Sequence, residues 1–251
     1  MNSLLSYLFL HSTVYAVEPI IQHLNYDLFV AEQKIGTRSI TTSYFIDEKN
    51  KQSQRRIIEV YTEISGSVFG KELNFKERSS IEYNGRNIKF VATQSLNEDP
   101  IEFQGRNKGD GSWMIFEISN GASQQKTYTS QDFYFTTLSL YDNKRAQNMQ
   151  ELSSMGLYVM ETGEVWQGAW KEKGNKKVKI KKQKFLGDVY EFSYQNTNIE
   201  GIWSDNGELL QFKITYNGIP LEGKLQEPPK VLEIGTIDSV GGFEGVKEEE
   251  L

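Results

Sequence analysis

The sequence contains no cysteine. This rules out disulfides, thiolate metal sites, cysteine nucleophiles and lipid attachment through cysteine. Histidine is nearly absent as well, with only His11 and His23. Two histidines are too few for a histidine-based zinc site. A Ser-His-acid relay is excluded on the same ground, because His23 precedes the first expected strand and no Gly-x-Ser-x-Gly occurs. The glycines of the segment 105–111, Gly-Arg-Asn-Lys-Gly-Asp-Gly, are followed by neither a helical pattern nor Lys-Ser/Thr, so the segment reads as a hairpin loop and not a phosphate cradle. With no nucleophile, metal or cofactor motif, a non-enzymatic protein without a cofactor is expected.

Long apolar runs are missing too. The most apolar stretch near the start, Leu4 to Leu10, is far shorter than the roughly twenty residues that span a bilayer as a helix. With Val14-Tyr15-Ala16 behind it, this stretch reads as a secretory signal over residues 1–16, although no Lys or Arg precedes its apolar core. The expected location is periplasmic or secreted, with the mature chain starting at Val17.

What the sequence has in quantity is alternation. In Leu73 to Leu96, residues Leu73, Phe75, Ile81 and Tyr83 fall on one parity and Asn74, Lys76, Arg78 and Glu82 on the other. Asn84-Gly85 supplies a tight turn, and Ile88 and Phe90 resume the apolar phase. Asp205-Asn206-Gly207 marks a second strong hairpin, and weaker bends are expected at Gly36 and at Leu186-Gly187. About twelve strands follow from this pattern, without βαβ spacing. The expected fold is all-β: a single antiparallel, strongly curved sheet, barrel or half-barrel, over residues 17–226. Ser130 and the i, i+4, i+7 spacing of Tyr134, Leu138 and Tyr141 predict one short helix over 131–141, covering an open end.

Charge is unevenly distributed. The net charge is −6, and the tail 227–251 holds seven acids against two lysines. This Gly-rich tail is expected to be disordered. Residues 171–184 carry eight lysines against Glu172. Lys177, Lys179 and Lys181 would give a basic strand face, suited either to guarding an exposed edge or to peripheral contact with an anionic membrane surface. Nucleic acid is not an expected partner, since no stacking-aromatic motif accompanies the lysines.

The inward phase is rich in large rings. Phe75, Tyr83, Phe90, Tyr190, Phe192, Trp203 and Phe212 are most simply core; alternatively they line a cavity for a lipid or other amphipathic ligand. Trp166 and Trp170 share one parity and are either core or an exposed pair. Among the carboxylates, Glu82, Glu117 and Glu191 are assigned outward, and Glu77 alone shares the parity of Phe75 and Ile81. A lone inward glutamate is usually paired with an arginine. A glycan-acting enzyme would instead need a second acid across a cleft.

Several stretches together resemble a known family. They are Tyr26-Asp27-Leu28-Phe29-Val30 with Lys34-Ile35-Gly36-Thr37, the long hairpin, Asp132 to Tyr141, Ile202-Trp203-Ser204-Asp205-Asn206-Gly207, and Gly218-Ile219-Pro220-Leu221-Glu222. Over Tyr26 to Leu225 the chain is similar to a family of exported bacterial envelope proteins of unknown function. The resemblance implies a curved antiparallel sheet like that of periplasmic lipoprotein-carrier half-barrels, and brings no catalytic residues. The expectation is a periplasmic protein that binds an apolar envelope component inside its sheet, or one that binds envelope proteins around a filled core.

Overall fold

The computed structural model describes residues 19–46, 53–68, 70–85, 87–97, 99–107, 111–133, 135–142, 155–216 and 219–230. The segment 1–16 read as a secretory signal and the tail beyond residue 230 lie outside the described residues. The alternation read from the sequence becomes strands. β1 (Ile20–Val30), β2 (Gln33–Ile46), β3 (Ser53–Val68), β4 (Lys71–Asn84), β5 (Asn87–Leu96), β6 (Asp99–Asn107), β7 (Trp113–Ser119) and β8 (Ala122–Tyr128) form one meander. A second meander comprises β12 (Trp170–Ile180), β13 (Gln183–Tyr194), β14 (Thr197–Trp203), β15 (Leu209–Tyr216) and β16 (Ile219–Leu225).

These thirteen strands make one curved antiparallel sheet in the order β12-β13-β14-β15-β16-β1-β2-β3-β4-β5-β6-β7-β8. The two meanders join where the domain's ends meet, with Tyr26 of β1 opposite Leu225 of β16. The outermost strands are therefore β8 and β12, both in mid-chain. The described residues between them, 129–133, 135–142 and 155–169, pack across the inner face. There they form a small sheet of β9 (Phe135–Thr136), β10 (Met155–Val159) and β11 (Glu164–Gly168), with a 3-10 turn at Thr137–Tyr141.

Turn chemistry explains where sequence and structure differ. The bend expected at Gly36 sits instead at Ala31-Glu32, both with positive φ (47° and 67°), and Gly36 lies within β2. Likewise the β12–β13 turn is at Lys181-Lys182, with Lys181 at φ 53°, and Gly187 lies inside β13. Neither turn carries the Asn-Gly or Asp-Gly signature of a two-residue hairpin. The expected helix over 131–141 is only the 3-10 turn. Phe133, Phe135 and every residue from Thr136 to Asp142 are buried, so no polar face exists for a helix to present, and Thr136 and Thr137 are poor helix formers. Glu117 shares the inward parity of Trp113 and Ile115 and lies opposite the buried Phe103, so it faces inward and not outward as expected; apolar Met114, Phe116 and Ile118 on the other parity had made it read as the outward phase.

Curvature depends on where small residues face inward. Gly105 lies opposite Phe90, and a Cβ on it would come within 2.1 Å of the Phe90 ring. Gly223 lies opposite Phe212, with a corresponding approach of 2.2 Å. In both pairs the ring folds over the glycine of the next strand, so the inner face shortens while the ring still fills space. Replacing Gly105 with Val displaces the Phe90 ring, which is itself buried. The expected cost is about 1–3 kcal/mol, read as a lower urea midpoint with unchanged slope.

Candidate functional site at the seam between sheet and crossing segment

The crossing segment is held to the inner face by polar contacts from five strands, β2, β3, β4, β5 and β14. The Gln94 side chain of β5 donates to the Met160 carbonyl (2.6 Å), and the Trp203 indole of β14 donates to the Leu140 carbonyl (3.4 Å). Tyr83 of β4 meets the Ser139 hydroxyl at 3.2 Å. Arg56 of β3 pairs with the fully buried Asp142 at 2.6 Å and lies over the Tyr83 ring. Aromatic contacts fill the spaces between: Tyr158 packs on Phe90, and Phe133 on Trp113.

At the centre of the seam lies a buried charge cluster. Arg38 of β2 shares the inward phase of Ile40 and Tyr44, and Glu77 of β4 that of Ile81; they are 3% and 1% exposed. Arg38 donates through Nη2 to Glu77 Oε2 (3.0 Å), through Nε to Thr62 Oγ1 (2.7 Å) and through Nη1 to the Tyr141 hydroxyl (2.6 Å). Glu77 also accepts from the hydroxyls of Thr62 and Ser79, each at 2.9 Å. The guanidinium faces the Phe212 ring, 5.5 Å from its centroid. Such a pair is sound only when nearly every donor and acceptor is satisfied, as here.

A second carboxylate reaches the same guanidinium from the crossing segment. Glu161 Oε1 is 3.7 Å from Arg38 Nη2, and its Oε2 accepts from Thr137, whose hydroxyl also takes the Met160 amide. One arginine therefore faces two carboxylates. Burial, reinforced by the charge of Glu77 and opposed by Arg38, raises the Glu161 pKa above the usual carboxylate range. Burial also pushes the Tyr141 hydroxyl up to about 12, so it stays a neutral partner of Arg38. Chemically the cluster is a clamp with one titratable jaw. Among the described residues no group of three or more acidic or histidine side chains is placed to hold a metal ion.

The aromatic residues singled out as ligand contacts occupy the inner face against the chain's own side chains. Phe90 stacks on Tyr158, Tyr83 meets Ser139, and Phe212 packs on Tyr26 and Tyr141. Phe192 and Trp203 both pack on Trp170, Tyr190 is edge-on to Trp203, and Phe75 borders the core half-buried. Trp166 and Trp170 are core, not an exposed pair, Trp166 stacking on Tyr194. Lys177 and Lys179 project from the exposed face of edge strand β12, while Lys181 sits in the turn and pairs with Glu227 at 2.5 Å. Arg38 was missed in the sequence, although its parity with Ile40 and Tyr44 was the available signal. Tyr141 and Glu161 carried none, because only the crossing brings them to Arg38.

Two expectations follow for stability. Arg38→Met leaves Glu77 buried without a counter-charge and should cost about 3–5 kcal/mol. Glu77→Leu added to it should restore most of that, a non-additivity read from denaturant melts of both singles and the double. For Glu161 the folded pKa lies above the unfolded one, so the fold favours its protonated form. Its contribution to stability is then present at low pH and is lost as pH rises from the ordinary carboxylate range through the folded pKa. Glu161→Gln should gain stability relative to the parent across that rise, and equal melting-temperature differences at pH 4 and pH 8 would refute the assignment.

Comparison with known proteins agrees with this architecture. No family model matches the chain, and no curated protein does. A solved structure does: a β-barrel-like protein of a domain of unknown function, DUF1849, from Brucella abortus, with a TM-score of 0.55 over 84% of this chain and 98% of that one. At 12% sequence identity, the likeness establishes the fold: a curved antiparallel β-barrel-like sheet shared with an uncharacterised β protein.

Proposed function

We propose that this chain is a non-enzymatic protein of the bacterial envelope that works as an interaction module built on a filled core. The observation that carries the reading is the crossing segment: the inner face that would hold an apolar ligand is packed with Phe133, Phe135, Leu138, Leu140, Leu157 and Tyr158 of the same chain. Binding energy then has to come from the outside of the sheet and its edges. The two edges differ. β12 carries Lys171, Lys173, Lys176, Lys177 and Lys179, all exposed, the usual guard against strand addition. β8 reads Ala-Ser-Gln-Gln-Lys-Thr-Tyr, and its single lysine is engaged by Glu117 at 3.1 Å. Among the described residues β8 is paired on one side only, by β7. A partner that adds an extended segment to β8 would gain main-chain hydrogen bonds along an unguarded edge. Export is supported by the short apolar core and the small residues at Val14-Tyr15-Ala16.

Native mass spectrometry of protein expressed with its N-terminal segment and purified from the envelope fraction tests this directly. The expected result is a chain beginning at Val17 without a bound small molecule, in complex with a protein partner. That partner should be lost when Gln124 in β8 is changed to Pro and kept when Lys177 is changed to Gln. A co-purifying lipid released on denaturation would instead return the inner face to a ligand-carrying role.

A further inference from the structure

The outer face of the sheet carries a shallow dish over β2 to β5, holding about 520 Å³. It lies where short hydroxyl side chains of β2, β4 and β5 sit among longer ones. Register places Ser39 opposite Tyr61, Tyr61 opposite Arg78 and Arg78 opposite Thr93. One step along, Thr41 lies opposite Glu59, Glu59 opposite Ser80 and Ser80 opposite Val91. Four hydroxyls, from Ser39, Thr41, Ser80 and Thr93, therefore lie among the larger Glu59, Tyr61, Arg78 and Val91. Tyr61 and Val91 are 45% and 47% exposed.

The charges in the dish are also unlike their neighbours. In the flanking rows opposite charges pair, Lys76 with Glu63 at 3.5 Å on one side and Arg55 with Glu82 at 2.7 Å on the other. Glu59 and Arg78, diagonal neighbours on β3 and β4, make no hydrogen bond or ion pair among the described residues. A diagonal pair of long side chains is within reach of itself, yet both remain open toward the dish.

We propose that this dish is a binding site for a neutral saccharide. The dish lies in mid-sheet, where the ladders already use the backbone donors and acceptors, so a ligand must be read by side chains alone. That disfavours an extended peptide, which depends on main-chain pairing. A guanidinium beside a carboxylate sums to zero charge, so an anion attracted by Arg78 would meet Glu59. Vicinal hydroxyls of a sugar suit both at once, donating to the carboxylate and accepting from the guanidinium. The exposed Tyr61 ring offers the electron-rich face on which the weakly positive C–H face of a pyranose rests. The volume suits one or two sugar rings.

The test titrates the full mature chain with maltotriose, cellotriose, chitotriose and xylotriose, each observed by saturation-transfer NMR and by backbone shifts of β3 and β4. At least one should bind with a dissociation constant near or below about 1 mM, and Tyr61→Ala and Arg78→Ala should each weaken it about tenfold. All three side chains are exposed, so these variants and Glu59→Gln should keep the parent's melting temperature. Lys177→Gln, on a remote strand, should bind as the parent does. The proposal is overturned by absence of saturation transfer for all four sugars, by binding that survives Tyr61→Ala, or by Arg78-dependent binding of anionic vesicles with no sugar binding.

Discussion

Pairing of β1 with β16 is the constraint from which the rest of this structure follows. It places the two ends of the domain side by side in the middle of the sheet and leaves β8 and β12, strands from mid-chain, at its edges. The covalent link between two edges of a curled sheet has a choice of two faces. On the outer face it would expose Phe133, Phe135, Leu138, Leu140, Leu157 and Tyr158 to water; on the inner face it buries them all. Burial of side chains of this size is favoured by about 1.5–3 kcal/mol each, which decides the route. The link then becomes the core that a single curved sheet cannot supply for itself.

A core made this way has to include polar groups, because a crossing segment with little regular structure brings its backbone and side-chain hydrogen-bonding groups inside. The sheet answers with side chains instead of strand pairing: Gln94 for the Met160 carbonyl, Trp203 for that of Leu140, and Arg56 for Asp142. The Arg38–Glu77 pair belongs to the same scheme. Three neighbouring strands contribute Arg38, Thr62 and Glu77, so the cluster exists in the sheet before the segment adds Tyr141 and Glu161. Buried ion pairs of this kind add little net stability but penalise wrong arrangements heavily. Here Arg38 donates to the Tyr141 hydroxyl, which ties the 3-10 turn to the cluster. Glu161, the jaw that burial and Glu77 both disfavour as an anion, is the weakest point of the clamp.

With the inside filled by the chain itself, the outer surface is what remains accessible, and it is not uniform. Lysines cover one edge while the other is short and nearly uncharged. The middle of the face bears a hollow with an acid and a base that make no ion pair among the described residues, between rows whose charges are paired. These differences are local features of the sequence, small residues in register and lysines on one strand. Only the sheet order turns them into an edge and a dish.

Much of this was legible in the sequence. Period-two alternation gives strands because a pleated strand turns successive side chains to opposite faces, and Asn84-Gly85 and Asp205-Asn206-Gly207 gave two turns because glycine there takes positive φ, as Gly85 and Gly207 do. The inward parity of Glu77 announced a buried carboxylate that needed an arginine, and Arg38 is that arginine. Turns made by Ala31-Glu32 and Lys181-Lys182 were invisible, since nothing in those residues prefers a bend. The helix expected near residue 131 was a pattern of one face in a segment that is buried on all faces. Local spacing by itself determined the strands, their faces and the all-β class, because those depend on neighbours along the chain. Which strands form the edges, what fills the interior and which acid meets Arg38 depend on pairing between β1 and β16, some two hundred residues apart, and the tertiary structure alone decided them.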